Sequence, residues 1–307
     1  MRIVSLLPSA TEIICALGLQ DQLVGVTHEC DYPPAVRGLP EVTITRVPED
    51  ASSAEINRQV NQRRGADKAL YSLNHARLEA LRPDLIVTQA LCGVCAVAEA
   101  EVQQAACALP GNPAVVNLEP ECLADIYTAI RQVAQAAGVE DRAQAVIASL
   151  QARVAAVAER ARTAASRPRV VLLEWLDPPF CCGHWNPELI QLAGGVEGLG
   201  KAGQPSRGMH WDEVIACQPQ VVVIACCGFD VARTLEETPL LDAVPGWRTV
   251  PAAQNGRVFV TDGSQYFSRP GPRLVDSVEI MAHAIDPRLH PLPDHLEPAV
   301  RIGSPPE

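Results

Sequence analysis

The chain has 307 residues, 48% of them hydrophobic and 20% charged, which is the composition of a globular protein with a sizeable core in one large or two ordinary domains. It has no apolar run of 18 residues, which excludes a membrane-embedded class. Twenty-five basic residues against 36 acidic ones leave a net charge of -11, which opposes an extended nucleic-acid footprint. Only 4% of residues are aromatic, so an aromatic side chain in a loop carries weight as a site candidate.

In chain order, Arg2 to Leu7 is a strand. A helix follows, N-capped by Ser9 or Thr11 and closing near Gly18. The opening apolar run is broken by Pro8 and lacks a small-residue cleavage site, so the sequence predicts no export signal and a cytoplasmic protein. Leu23 to Val26 gives a second strand, Asn74 to Leu81 a helix, Pro83 to Gln89 a third strand and Ala114 to Leu118 a fourth. Near-continuous apolar strands alternating with helices predict a parallel sheet covered on both faces.

From Cys122 to Ser166 the chain is rich in Ala, Gln, Arg and Glu with a break at Gly138, which predicts one or two long helices forming a connecting spine. The strand-helix pattern then restarts at Arg169 to Trp175, with a helix from Pro187 to Leu192. Trp211 to Ile224 repeats the helix, proline and apolar strand of Leu78 to Val87 at an offset of 136 in numbering. The expectation is an α/β protein of two Rossmann-like lobes: an N-terminal lobe 1–120, a spine 121–167, a C-terminal lobe 168–290 and a flexible proline-rich tail 291–307.

Arg2-Ile3-Val4-Ser5-Leu6-Leu7-Pro8-Ser9-Ala10-Thr11-Glu12, then Val24-Gly25-Val26 with Asp31-Tyr32-Pro33-Pro34, then Leu81-Arg82-Pro83-Asp84-Leu85-Ile86 stand in order in the first half. Pro178-Pro179-Phe180, Gly194-Gly195 and Tyr266-Phe267-Ser268-Arg269-Pro270-Gly271-Pro272-Arg273 follow in the second. Together, over roughly residues 1 to 287, they resemble the helical-backbone substrate-binding proteins of ABC importers for iron-siderophores and cobalamin, nearest the cobalamin-binding members. That resemblance implies two lobes bridged by a helix and a ligand in the inter-lobe cleft. It places Phe180 at a family aromatic that contacts the corrin, and Tyr266 where another large aromatic sits near the cleft. Glu29, Thr45, Gln89 and Ser206 stand where the family has cleft aromatics. Of the two acids that dock the importer, Asp212 matches one and Ala76 stands at the other, so the reading sets the chain apart from a conventional importer subunit.

Ligands of open α/β sheets gather outside the carboxyl ends of the strands. The segments expected there hold seven of the 11 cysteines: Cys30, Cys92, Cys95, Cys181, Cys182, Cys226 and Cys227. The reading is a small-molecule site of Ser9, His28, Glu29, Gln89, Phe180, His184, Trp185, Ser206, Tyr266 and Arg269, binding a corrinoid or similar metal-bearing tetrapyrrole. His28, His184 or a cysteine can offer cobalt an axial ligand. The alternative is a soft-metal site, zinc-type, or a redox-active thiol site on Cys92 and Cys95 with Cys181, Cys182, Cys226 and Cys227, with one of each adjacent pair packed inward. His75 and His210 read as helix starts, and Cys15, Cys107, Cys122 and Cys217 as packing. No nucleophile elbow, phosphate loop or His-Glu-x-x-His nominates a reaction.

Overall fold

The computed structural model describes residues 1–45, 51–62, 71–89 and 99–303. The chain divides into two compact units, Met1–Pro120 with Ala124–Ser149, and Glu121–Leu123 with Leu150–Glu307.

In the first unit, strand β1 (Ile3–Ser5) leads into helix α1 (Pro8–Ala16), then β2 (Leu23–Gly25), β3 (Thr43–Thr45), α2 (Ser53–Gln62), β4 (Tyr71–Leu73) and α3 (His75–Leu81). Next come β5 (Leu85–Gln89), α4 (Glu99–Ala108), β6 (Ala114–Leu118) and α5 (Leu123–Ala137). Its main sheet runs β2-β1-β5-β6 with every pairing parallel. All five residues of β5 are buried, as a strand covered on both faces requires. A separate antiparallel pair joins β3 to β4, setting Thr45 opposite Tyr71. Helix α1 departs from its expected cap: Leu7 is the N-cap, Pro8 opens the first turn, and Ser9 and Thr11 lie buried inside the helix. Proline at the first helical position supplies the helical φ without losing a hydrogen bond, so no side-chain cap is needed.

Helix α6 (Glu140–Arg162) runs for 23 residues, about 34 Å. It is separated from α5 at Gly138, whose positive φ of 68° only glycine adopts without strain. In the second unit follow β7 (Arg169–Leu176), β8 (Pro179–Cys181), α7 (Asn186–Leu192), β9 (Val196–Glu197), β10 (Arg207–Gly208), α8 (Trp211–Cys217) and β11 (Val221–Ile224). Then come α9 (Val231–Glu237), α10 (Leu240–Ala243), α11 (Pro251–Gln254), β12 (Val258–Val260), α12 (Leu274–Ile285) and β13 (Val300–Ile302).

The second sheet differs from the all-parallel expectation. Its order is β10-β8-β7-β11-β12-β13, with β9 also on β7; β8, β10 and β13 are antiparallel to their neighbours. The core strands stay parallel, and Val170 to Leu173 and Val221 to Ile224 are fully buried. The segment read as a tail instead holds buried Leu296 and ends in β13, where Val300, Arg301 and Ile302 pair with β12. Arg301 anchors it by donating from Nη2 to the Asn255 carbonyl at 2.9 Å. An edge strand of three residues is too short to show in a proline-rich composition.

Candidate functional site

At the carboxyl edge of the first unit's sheet, the chain leaves β2 and turns through Thr27 to Cys30, where the Cys30 N–H donates to the Thr27 carbonyl. His28 is held by Thr43 on β3: Nδ1 lies 2.7 Å from Thr43 Oγ1, and the His28 backbone N–H donates to the same oxygen at 3.2 Å. Its Nε2 lies 3.3 Å from Glu29 Oε1, which also accepts from the Tyr71 hydroxyl at 3.4 Å. The Tyr71 ring meets the His28 ring edge-on, with centroids 4.7 Å apart. Beneath them the Cys30 thiol sits 3.1 Å from the hydroxyls of both Thr11 and Thr27, and the Thr11 hydroxyl donates to Ser5 Oγ. Ser9 is buried within α1, and Gln89 closes β5 at 8% exposure.

At the matching edge of the second unit, β7 turns directly into β8, and the β7–β8 ladder is irregular. Leu173 pairs with Cys181 and Trp175 with Phe180, so Glu174 is an extra residue on β7, a β-bulge. Its carboxylate accepts from the Gly183 N–H at 3.3 Å and from Asn186 Nδ2 at 2.8 Å on Oε1, and from the Ser206 hydroxyl on Oε2. Burial pushes this carboxyl above its ordinary value, against the three donors that favour its charged form.

The edge itself is aromatic. Trp175 packs on Phe229 with centroids 4.9 Å apart, and the Arg233 guanidinium lies 4.6 Å from the Phe229 centroid. Arg233 is tied to Glu237 at 2.7 Å and Glu236 at 3.2 Å. Half-buried Phe180 faces Gly208 of β10, where a Cβ would stand 3.3 Å from the ring. After β12, Asp262 accepts from the Gln265 backbone at 2.7 Å and side chain at 2.9 Å. Arg269 donates to Ser264 at 3.3 Å, and the Arg273 guanidinium lies 5.5 Å from the Tyr266 ring.

The structure thus sets Phe180, Tyr266, Arg269 and Ser206 in segments flanking this edge. Trp185, expected to face a ligand, is 6% exposed, and its indole N–H donates to the Phe267 carbonyl at 2.7 Å. His184 is half-buried beside it with ring centroids 5.5 Å apart, and burial pushes its pKa below the ordinary imidazole value while Glu121 opposes the shift. Because β8 runs back along β7, these two residues follow the strand inward; the Cys182 N–H donates to the Leu172 carbonyl.

The cysteines do not form the expected cluster among the described residues, and Cys92 and Cys95 lie outside them. Cys181 is buried because β8 is an interior strand between β7 and β10, and Cys182, the next residue, is buried beside Glu197. The Cys182 thiol lies 3.6 Å from Glu197, and burial raises its pKa well above the ordinary thiol value. Burial likewise pushes Cys226 up to about 12, while its neighbour Cys227 is exposed. Protonated, buried thiols are poor ligands for soft metals and poor nucleophiles. Among the described residues the single trio of potential metal ligands is Asp276, Glu279 and His295, and there Arg153 Nη2 lies 2.5 Å from Asp276 and 2.6 Å from Glu279. The soft-metal and redox-thiol readings therefore gain no support.

Sequence reasoning missed Glu174, Trp175, Phe229, Thr43 and Tyr71. Trp175 and Phe229 carried a usable signal, being two of very few aromatics, one at the end of an apolar strand and one just past another.

A family model described as periplasmic binding protein matches residues 3–264. The uncharacterized ABC transporter substrate-binding lipoprotein YvrC of Bacillus subtilis is 24% identical over 290 residues, 93% of this chain and 80% of its own length. A vitamin B12-binding protein of Vibrio cholerae is 24% identical over 294 residues, 91% of this chain and 86% of its own. Among solved structures, the periplasmic heme-binding protein RhuT from Roseiflexus sp. RS-1 superposes with a TM-score of 0.71 at 25% identity, covering 94% of this chain and 98% of its own. All three are named as binding proteins and none for a reaction. These relatives overturn the expected cytoplasmic placement, because one is a transporter lipoprotein and another periplasmic. They also weigh against setting the chain apart from importer subunits. No helix among the described residues is long and apolar enough to cross a membrane. With the model spanning most of its length, the chain belongs to the periplasmic binding protein family.

Proposed function

We propose that this protein binds a metal-bearing tetrapyrrole, and specifically a corrinoid, against the aromatic edge of its second unit. The observation that carries the reading is the pairing of Trp175 on β7 with Phe180 on β8, both half-buried, with Phe229 packed on Trp175 and glycine at position 208 placing no side chain against the Phe180 ring. Large rings at the carboxyl end of a parallel sheet suit a flat macrocycle, which they contact over a wide apolar area. The preference for a corrinoid follows the vitamin B12-binding relative, which matches over 91% of the chain. We take the partner class to be an ABC importer, on the strength of the relative named as a transporter substrate-binding lipoprotein.

Absorbance titration with aquocobalamin, run in parallel with hemin, tests the reading. Saturable binding of aquocobalamin is expected, and Phe180→Ala should weaken it about tenfold, the equivalent of one lost aromatic contact. Unchanged affinity in that variant overturns the assignment of this face. Binding of hemin in preference to aquocobalamin overturns the corrinoid and leaves the aromatic face.

A further inference from the structure

We propose that Glu174 is the positioning residue of the aromatic edge: its bulged carboxyl clamps the 203–206 segment onto β7 and so fixes Gly208 against the Phe180 ring. The inference rests on the reading that this edge binds the ligand, although the clamp itself can be observed without any ligand.

The geometry runs as a chain of short contacts. The bulge on β7 gives Glu174 a position outside the regular ladder, from which its side chain collects one donor from each of three places: Gly183 just after β8, Asn186 at the start of α7, and Ser206 just before β10. Its own main chain remains in the sheet, accepting from the Cys227 N–H at 3.0 Å. Beside the clamp the two loops run against each other. The His184 N–H donates to the Gln204 carbonyl at 2.6 Å and the Gly203 N–H to the His184 carbonyl at 2.9 Å. A Cβ at Gly183 would stand 2.3 Å from the Ser206 nitrogen, so the loops meet at backbone distance. One and two residues past Ser206, Arg207 and Gly208 pair with Cys181 and Phe180. Phe180 therefore has Trp175 on one side and Gly208 on the other, and within the 203–206 segment it is the Ser206 side chain that reaches Glu174.

Other charged and titratable groups around the clamp do not replace it. Glu197 is held by the Leu199 and Gly200 N–H groups at 2.7 Å each, Cys182 leans on Glu197, and Arg207 is paired with Glu213 at 2.8 Å. Burial favours the neutral carboxyl at position 174, so glutamine is a fair mimic of it. A glutamine oxygen can accept from Gly183 and Asn186 while its amide donates to Ser206 Oγ. Leucine of similar size supplies none of the three.

The test compares Glu174→Leu, Glu174→Gln and the milder Ser206→Ala by two readouts. In hydrogen exchange on the ligand-free protein, Glu174→Leu and Ser206→Ala should speed exchange over 203–208, with Glu174→Gln near the wild type and the β11 and β12 amides unchanged. In aquocobalamin titration, Glu174→Leu should weaken binding on the order of tenfold, and Glu174→Gln should restore most of it. Equal exchange over 203–208 in wild type and Glu174→Leu overturns the clamp. Wild-type affinity in Glu174→Leu, or a loss in Glu174→Gln as large as in Glu174→Leu, overturns its role in positioning. Failure of the wild type itself to bind either aquocobalamin or hemin sinks the ligand reading separately, and the exchange result then decides the clamp alone.

Discussion

The two units contain the same piece of local structure, read out by different residues. In the first, Asn74 caps α3 by accepting from the Arg77 N–H at 3.1 Å, Arg82 ends the helix in the left-handed region at φ 44°, and Pro83 precedes β5. In the second, at an offset of 136 in numbering, His210 begins α8, Gln218 ends it at φ 49° and Pro219 precedes β11. At the second helix the N-terminal N–H of His210 donates to Glu213 at 3.2 Å, and Arg207 holds that carboxylate. The helix-turn-strand unit thus tolerates exchange of every capping group so long as its apolar face and left-handed stop persist. What distinguishes the units is added to that frame. The first keeps an all-parallel sheet with a polar edge of His28, Glu29 and Tyr71, whereas the second inserts antiparallel β8 and β10, and with them a bulge and an aromatic edge.

The largest effect should come from breaking the different ways helix α6 engages each unit. Toward the second, Arg153 grips Asp276 and Glu279, whose carboxylates are 9% and 10% exposed. Toward the first, Arg142 donates to the carbonyls of Leu17 and Gly18 at 3.0 and 3.1 Å, closing the end of α1. Arg153→Ala strands two buried carboxylates and should cost about 3 kcal/mol in denaturant unfolding. Arg142→Ala leaves carbonyls that water can reach and should cost about 1.5 kcal/mol. Equal losses would mean that the acidic pair relaxes into solvent. A smaller effect, about 1 kcal/mol, is expected for Asn74→Ala, which removes a side-chain cap. His210→Ala should cost less than that, because its backbone bond to Glu213 survives; a reversal of the order would show that the two caps are not equivalent in kind.

Much of the frame was legible. The strand Ala114 to Leu118 falls where its apolar run begins and ends, α3 starts at His75, and the long helical stretch breaks at Gly138. These features depend on local pattern and on residues with special backbone behaviour. The candidate site was legible only in part, since its key placements depend on pairing. Glu174 reads as one polar residue inside the apolar run Arg169 to Trp175, and only the shifted ladder with β8 shows that it is the bulge. The adjacent Cys181 and Cys182 were expected to split between core and surface by strand alternation. They do not, because Cys181 lies inside an interior strand and Cys182 turns in under Glu197. Trp185 follows a loop in the sequence and yet is buried, because the return of β8 carries it under the Phe267 carbonyl.

The last expected effect is the smallest, and it sharpens the contrast between the units by titrating what the second one added. Burial raises the carboxyls of Glu174 and Glu197 above their ordinary 4.5, even though Ser206, Asn186 and Gly183 oppose this at the first and the Gly200 and Leu199 N–H groups at the second. A carboxyl that binds its proton more tightly folded than unfolded contributes stability that is complete below pH 4.5 and is lost as the pH rises through the raised folded value. These two groups should therefore make thermal stability decline from mildly acid toward neutral pH, opposite in sign to a salt-bridged carboxylate. Glutamine keeps the accepting oxygen at both positions and cannot ionise, so the Glu174→Gln, Glu197→Gln double variant should hold its stability where the wild type loses it. The measurement is the difference between the two proteins in melting temperature, taken at matched ionic strength from pH 4.5 to 8, so that every other titrating group cancels. A difference that stays constant across that range would show that both carboxyls are already solvated or fully paired as anions, and that the bulge buries no proton.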